Sequence, residues 1–222
     1  MDFLLGSILW GLLWFLVSMT LVMLGLGLVW RVEQNKWLSW FGLHRNLPWF
    51  SLVAAFIGGL LGIFLWYIQP AINPLVIFLQ IIIIACLIVS IVSDAHFSVI
   101  NLHVLAVGSL AVLAGIIMQQ SWLPTFASAV AAAAVATIFF LWQYLLSRGQ
   151  WVGSGDAWLG AFLGLLAGWH EILIVAAIGY GFAAIIAFVL IIFFRQKNLN
   201  RLPLGAFLAF SALAFFLFTI IS

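Results

Sequence analysis

Eight apolar runs separated by short polar clusters constrain this chain more than any other feature. They extend from Phe3 to Trp30, Leu47 to Ile68, Leu75 to Ser93, Leu102 to Met118, Thr125 to Leu146, Ala157 to Gly168, Ile172 to Phe194 and Leu204 to Ile221. A run of about 18 or more apolar residues can cross a hydrocarbon core of roughly 30 Å as a helix. The period-two alternation of an outer-membrane barrel is absent. Only 5% of the residues are charged, against roughly 25% in a soluble domain, which excludes a water-soluble fold. The expected fold is an all-α, polytopic transmembrane bundle of about eight spans. The sixth run is the shortest and is expected to begin earlier, within the preceding loop, or to be shielded by its neighbours. Brief connections point to one domain over residues 1–222, with two spans in 1–74 and the rest in 75–222. Met1-Asp2-Phe3 lacks the basic opening of a signal peptide, so the first run is expected to stay as structure.

Seven Lys and Arg against five acids leave a formal net charge of +2, too slight an excess for nucleic-acid binding. The charges serve better as a topology signal. If every run crosses, the connections holding Arg31, Lys36 and Arg45, then Asp94, then Arg148 and Asp156, then Arg195, Lys197 and Arg201 fall on one side. The opposite connections, Gln69 to Pro74, Gln119 to Pro124 and Trp169 to Glu171, contain no Lys or Arg. The positive-inside rule then puts the charged side in the cytoplasm of an inner or plasma membrane, with both termini outside. Arg148, Arg195, Lys197 and Arg201 suit anionic lipid headgroups.

Small residues mark close packing. Gly160, Gly164 and Gly168 recur at four-residue spacing beside Ala157 and Ala161, and Ala131 to Ala136 form a second small-residue stretch. Both are expected to be helix-packing stripes. The single cysteine, Cys86, can build neither a disulfide framework nor a four-thiolate metal site within one chain. His96 and His103 match no strong zinc spacing and are expected to be interfacial imidazoles, while His170 and Glu171 belong to a solvated turn on the other side. Tyr144 and Trp151 could contact a substrate, but nothing in their spacing favours that over anchoring at the interface.

Asp94 and Asp156 are the candidates for chemistry. Asp94 ends the third run within Ser93-Asp94-Ala95-His96-Phe97-Ser98-Val99-Ile100-Asn101, and Asp156 follows Gly153-Ser154-Gly155 at the opening of the sixth. Ionisable groups at membrane depth are costly and are functional candidates by default. Each could also be a hydrated loop residue or a helix cap, Asp156 especially. Two carboxyl groups close together in a poorly hydrated site cannot easily both ionise, so one keeps a proton while the other stays a base. Peptide hydrolysis needs that division: the base takes a proton from water, and the acid polarises the scissile carbonyl and later protonates the leaving nitrogen. The glycines let the backbone bend and an extended substrate lie near Asp156.

Asp94 with Ile100 six residues on, Gly153-Ser154-Gly155-Asp156, and Pro203-Leu204-Gly205-Ala206-Phe207-Leu208-Ala209 occur in that order. In this the chain resembles the type IV prepilin peptidases, membrane aspartic proteases that include the archaeal preflagellin peptidases, over roughly Leu75 to Ser222. The third stretch is similar to the family's Pro-Phe-Gly-Pro-Phe-Leu-Ala, with Leu204 and Ala206 as the differences. The chain also has Asn101-Leu102 where the family usually has Pro then Asn or Asp, and Ala157-Trp158 where it has Val-Lys. The resemblance implies that Asp94 and Asp156 are the catalytic pair, supported by Gly153, Gly155, Pro203 and Gly205, cutting the basic leader from pilin-like precursors at the cytoplasmic membrane face. Water is the nucleophile, and no metal or organic cofactor is implied. The connection from Arg31 to Asn46 is short and has no cysteine, so no N-methyltransferase domain with its zinc site is expected. The alternatives are a non-catalytic member that binds precursors, or a small transporter coupling protons through the acids.

Overall fold

The computed structural model describes residues 2–34, 49–68, 73–118, 123–150, 152–194 and 203–221, which form eight helices and no strand. In chain order they are α1 (Asp2–Gln34), α2 (Trp49–Ile68), α3 (Pro74–Phe97), α4 (Leu102–Ile117), α5 (Phe126–Leu146), α6 (Ser154–Ala167), α7 (Ile172–Phe194) and α8 (Leu204–Ile221). The all-α bundle expected from the apolar runs is what forms, one helix to each run. Lys36, Arg45, Trp151, Arg195, Lys197 and Arg201, and the connections 69–72 and 119–122, lie outside the described residues.

The expected count of eight spans is corrected to five. α1, α3, α5, α7 and α8 are long and apolar enough to cross a membrane, whereas Leu52–Ile68 of α2, α4 and α6 are shorter apolar helices. Helix rise explains the difference: the 14 residues of α6 reach only about 21 Å at 1.5 Å per residue. An apolar run marks burial away from water, and a helix surrounded by other helices satisfies that without spanning alone. α6 fits the description, since Leu159, Phe162, Leu163 and Leu166 are all buried.

α3 is the central helix. It packs against α1, α2, α4 and α8, and 67% of its apolar window is inside the protein, against 22% for α5 and for α7. Its sequence rich in Ile, Leu and Val suits a helix buried over most of its length. Asn73 starts it by accepting the Leu75 N–H at 3.0 Å, with Pro74 in the first turn, where a missing N–H costs little. Ser98 ends it in the left-handed region, φ 52°.

α5 and α6 form the most extensive helix pair, and the small-residue stripes meet there. A Cβ on Gly164 would lie 2.5 Å from the Ala133 backbone, and one on Gly160 would lie 2.5 Å from the Phe140 ring. Ala129, Ala132 and Ala136 are buried on the facing side of α5. The two backbones approach where no side chain intervenes. The turn between these helices carries successive left-handed residues, Arg148 at φ 49° and Gly149 at φ 74°. This sharp reversal brings the Gly-Ser-Gly-Asp segment back over the bundle end.

Candidate active site

Three helix ends bring the expected residues together. Asp94 lies in the last turn of α3, inside the helix, and is only 7% exposed. Asp156, equally buried, caps α6 from its third residue rather than from the N-cap position, which Gly153 holds, and the helix starts three residues earlier than the apolar run suggests. Its Oδ2 reaches back to accept the Gly153 N–H at 2.8 Å. A carboxylate in this position satisfies a backbone donor that the helix start leaves free. α8 begins just after Pro203, and its Ala206 N–H donates to Asp94 Oδ2 at 2.7 Å. The first turn of one helix thus holds the acid of another, where free N–H groups and the helix dipole favour negative charge.

Gly205 explains why the acids can converge. A Cβ on it would stand 3.0 Å from Asp94 Oδ2 and 3.0 Å from Asp156 Oδ1, so those oxygens are no more than about 6 Å apart. The same Cβ would be 2.9 Å from Ile100 Cδ1. On its other flank, Ile100 presents its Cβ 2.9 Å from where a Gly155 side chain would begin. Ile100 therefore sits between two glycines, each bare where it touches the isoleucine, and braces the α3–α4 connection against α6 and α8.

The acids open on a cavity of about 410 Å³ whose lining includes Ile100, Gln150, Ser154, Trp158 and Leu204. Gly153, Gly155 and Pro203 also line it, while Gly205 lies beneath the carboxyl groups. The two carboxyls differ. Asp94 Oδ2 has its backbone donor, whereas Asp156 Oδ1 is buried with no hydrogen-bond partner among the described residues. An oxygen in that setting is better occupied by a proton than by charge. α6 is not one of the five candidate spans, and burial pushes the Asp156 carboxyl up to about 6, with the Gly153 N–H opposing the rise and the Asp94 charge adding to it. One base and one proton-bearing acid can therefore face the same cavity at mildly acid pH.

Other polar groups are not gathered into this site. His96 and His103 are exposed, and His103 borders an apolar cleft with the buried Cys86 between α1, α3 and α4. His170 and Glu171 lie in the turn before α7 and line a cavity at the other end of the bundle. Among the described residues no three His, Cys, Asp or Glu side chains cluster as metal ligands. Sequence reasoning overlooked Asn101, whose side chain caps α4 by accepting the His103 N–H at 2.9 Å. An Asn directly before an apolar run is a helix-start signal and would have found it. The Ala206 N–H carries no sequence signal, because every non-proline residue has one.

The fold and site define an all-helical protein, with apolar helices able to span a membrane and a buried pair of carboxyl groups where helix ends meet. No protein-family model matches the chain, and neither a curated protein nor a solved structure does.

Proposed function

We propose that the chain is an aspartic endopeptidase of the prepilin-peptidase kind, cutting a basic leader from pilin-like precursors. The convergence of Asp94 Oδ2 and Asp156 Oδ1 on Gly205, beside a shared cavity, is the observation that carries this reading. Asp94, held by the Ala206 N–H, is the base that takes a proton from water. Asp156 Oδ1, lacking a partner among the described residues, bears the proton that polarises the scissile carbonyl. The water oxygen then bonds to the carbonyl carbon, giving a tetrahedral intermediate. Collapse breaks the C–N bond as a proton reaches the leaving nitrogen. The acids stand at helix ends rather than mid-helix, which suits a cut where a water-exposed leader meets an apolar helix. Arg148, in the turn beside this site, favours a cytoplasmic position for this end, and the membrane would be an inner or plasma membrane.

A second reading is favoured by the same hydrogen bonds. Asp94 holds the start of α8 and Asp156 the start of α6, so the acids could serve only as clamps in a protein that binds precursors without cutting them. Co-expression with a pilin-like precursor from the same genome separates the two. Leader removal should be visible as a gel shift with the natural chain and fall by about a thousandfold or more in Asp94→Asn and in Asp156→Asn. Cleavage that survives either substitution removes the dyad. Precursor bound but never cut by the natural chain establishes the clamp.

A further inference from the structure

Gly160 lies one turn after Asp156 on α6, and its bare face receives the ring of Phe140 from α5. Residues four apart share a helix face, so the seat at Gly160 also governs how α6 turns Asp156 toward its partner. Phe140 is buried and is held in turn by Tyr180 of α7, whose ring stacks on it with centroids 6.3 Å apart and planes 7° from parallel. The Tyr180 hydroxyl donates to Gln143 Oε1 at 2.9 Å, and Gln143 follows Phe140 by three residues on α5. Among the described residues the backbones of α5 and α7 barely meet, since α5 pairs with α6 and α7 with α8. The two side chains therefore close a bridge over α6 that helix packing does not supply. A hydrogen bond between apolar helices is directional and fixes rotation as well as distance. The phenol is also within electrostatic reach of the Asp156 carboxyl.

We propose that Tyr180 and Gln143 are positioning residues for Asp156: their hydrogen bond seats Phe140 on Gly160 and so sets the rotation and the dryness of the start of α6. Neither lines the cavity in front of the acids, so both act through the helix. The consequence for cleavage rests on the peptidase reading, but the placing of Asp156 does not. The ionisable side chains that the elements around Asp156 bring to this end are Asp94 and His96 of α3, Tyr144 and Arg148 at the end of α5, and Tyr180 of α7. The described part of α8 adds none, and His103 of α4 borders the apolar cleft instead. A phenol ionises at about 10, so Tyr180→Phe and Gln143→Met alter no charge at the pH of the test, and a moved titration reports position and hydration.

The test uses the full-length protein in detergent and reads Asp156 directly, by its modification with dicyclohexylcarbodiimide, which attacks protonated carboxyl groups, followed by peptide mass. In the natural chain the labelling should decline with a midpoint of about pH 6. Tyr180→Phe keeps the stacked ring and removes only the donor, while Gln143→Met removes only the acceptor. In either, a loosened α6 admits water, which favours the charged carboxylate, so the midpoint should fall by about half a unit or more. Cleavage of a pilin-like precursor should lose about five- to twentyfold in kcat with KM within about twofold, as for a misplaced acid. The double variant should lose no more than the worse single one, because the two side chains make one bond. A midpoint unmoved in Tyr180→Phe or in Gln143→Met overturns the positioning role, even where thermal unfolding shows lost stability. If the natural chain cuts no precursor, the peptidase reading fails and the labelling alone decides: a lowered midpoint in both variants still upholds the positioning of Asp156.

Discussion

The two ends of the bundle carry cavities of similar size, about 410 Å³ by the aspartates and about 530 Å³ by His170 and Glu171, yet they differ in how they hold their ionisable groups. At the first, two carboxyls from separate helices are buried, and each accepts a backbone N–H from the start of a helix. At the second, His170 is exposed and Glu171 half-buried in the turn before α7, where the Trp169 N–H is taken by the Ser128 hydroxyl at 2.8 Å. Size and the presence of an acid are therefore shared by both ends. Enforced proximity out of water belongs to one, and it is what perturbs proton affinity enough for acid and base work near neutrality.

The sharpest way to break this comparison is to remove an acid at each end. Against the loss of about a thousandfold expected for Asp156→Asn, Glu171→Gln should leave precursor cleavage within about twofold, as for an ordinary surface change. A large loss from Glu171→Gln would mean that the second end takes part in function. Glycine substitutions come next. Gly205→Ala drives a methyl into both carboxyls and Ile100, so kcat/KM should fall by about a hundredfold through misplaced acids, with a stability loss of about 1–3 kcal/mol by thermal unfolding in detergent. Gly181→Ala, where no atom lies within 4 Å of the added Cβ, should be neutral or stabilising by up to about 1 kcal/mol. Equal effects at the two glycines would show that Gly205 has no special relation to the acids.

The smallest effect is in pH. A carboxyl raised to about 6 keeps its proton below that value and loses it above, so the acid needed from Asp156 disappears as pH rises. The kcat/KM profile should decline by about tenfold per unit above pH 6. An exposed aspartate would place that decline near pH 4. A profile flat from pH 5 to pH 8 would remove Asp156 as the proton donor.

Much of this arrangement was readable from residue order. α7 and α8 have the limits of their apolar runs, Ile172 to Phe194 and Leu204 to Ile221, because leaving the hydrocarbon requires polar residues and those are visible in sequence. Asp94 and Asp156 stood out for the complementary reason, as acids at the edges of runs that otherwise exclude charge. The stripe from Gly160 to Gly168 was legible as a packing face but not its partner, since a bare helix face accepts any close neighbour, and only packing selected Ala132, Ala133 and Ala136 of α5. The span count was overstated because hydropathy reports removal from water without saying whether lipid or protein does the removing. α6 is the plainest case.

The sequence by itself determined an all-α fold built from apolar helices and singled out two aspartates with their flanking glycines, because composition and local spacing decide where a chain avoids water and where it tolerates charge. Tertiary structure alone decided that the carboxyls meet over Gly205, that Ala206 donates to Asp94, and that Ile100 fills the space between two glycines. Those contacts join residues as far apart as Asp94 and Ala206. They follow from how α3, α6 and α8 pack together, which no local pattern along the chain encodes.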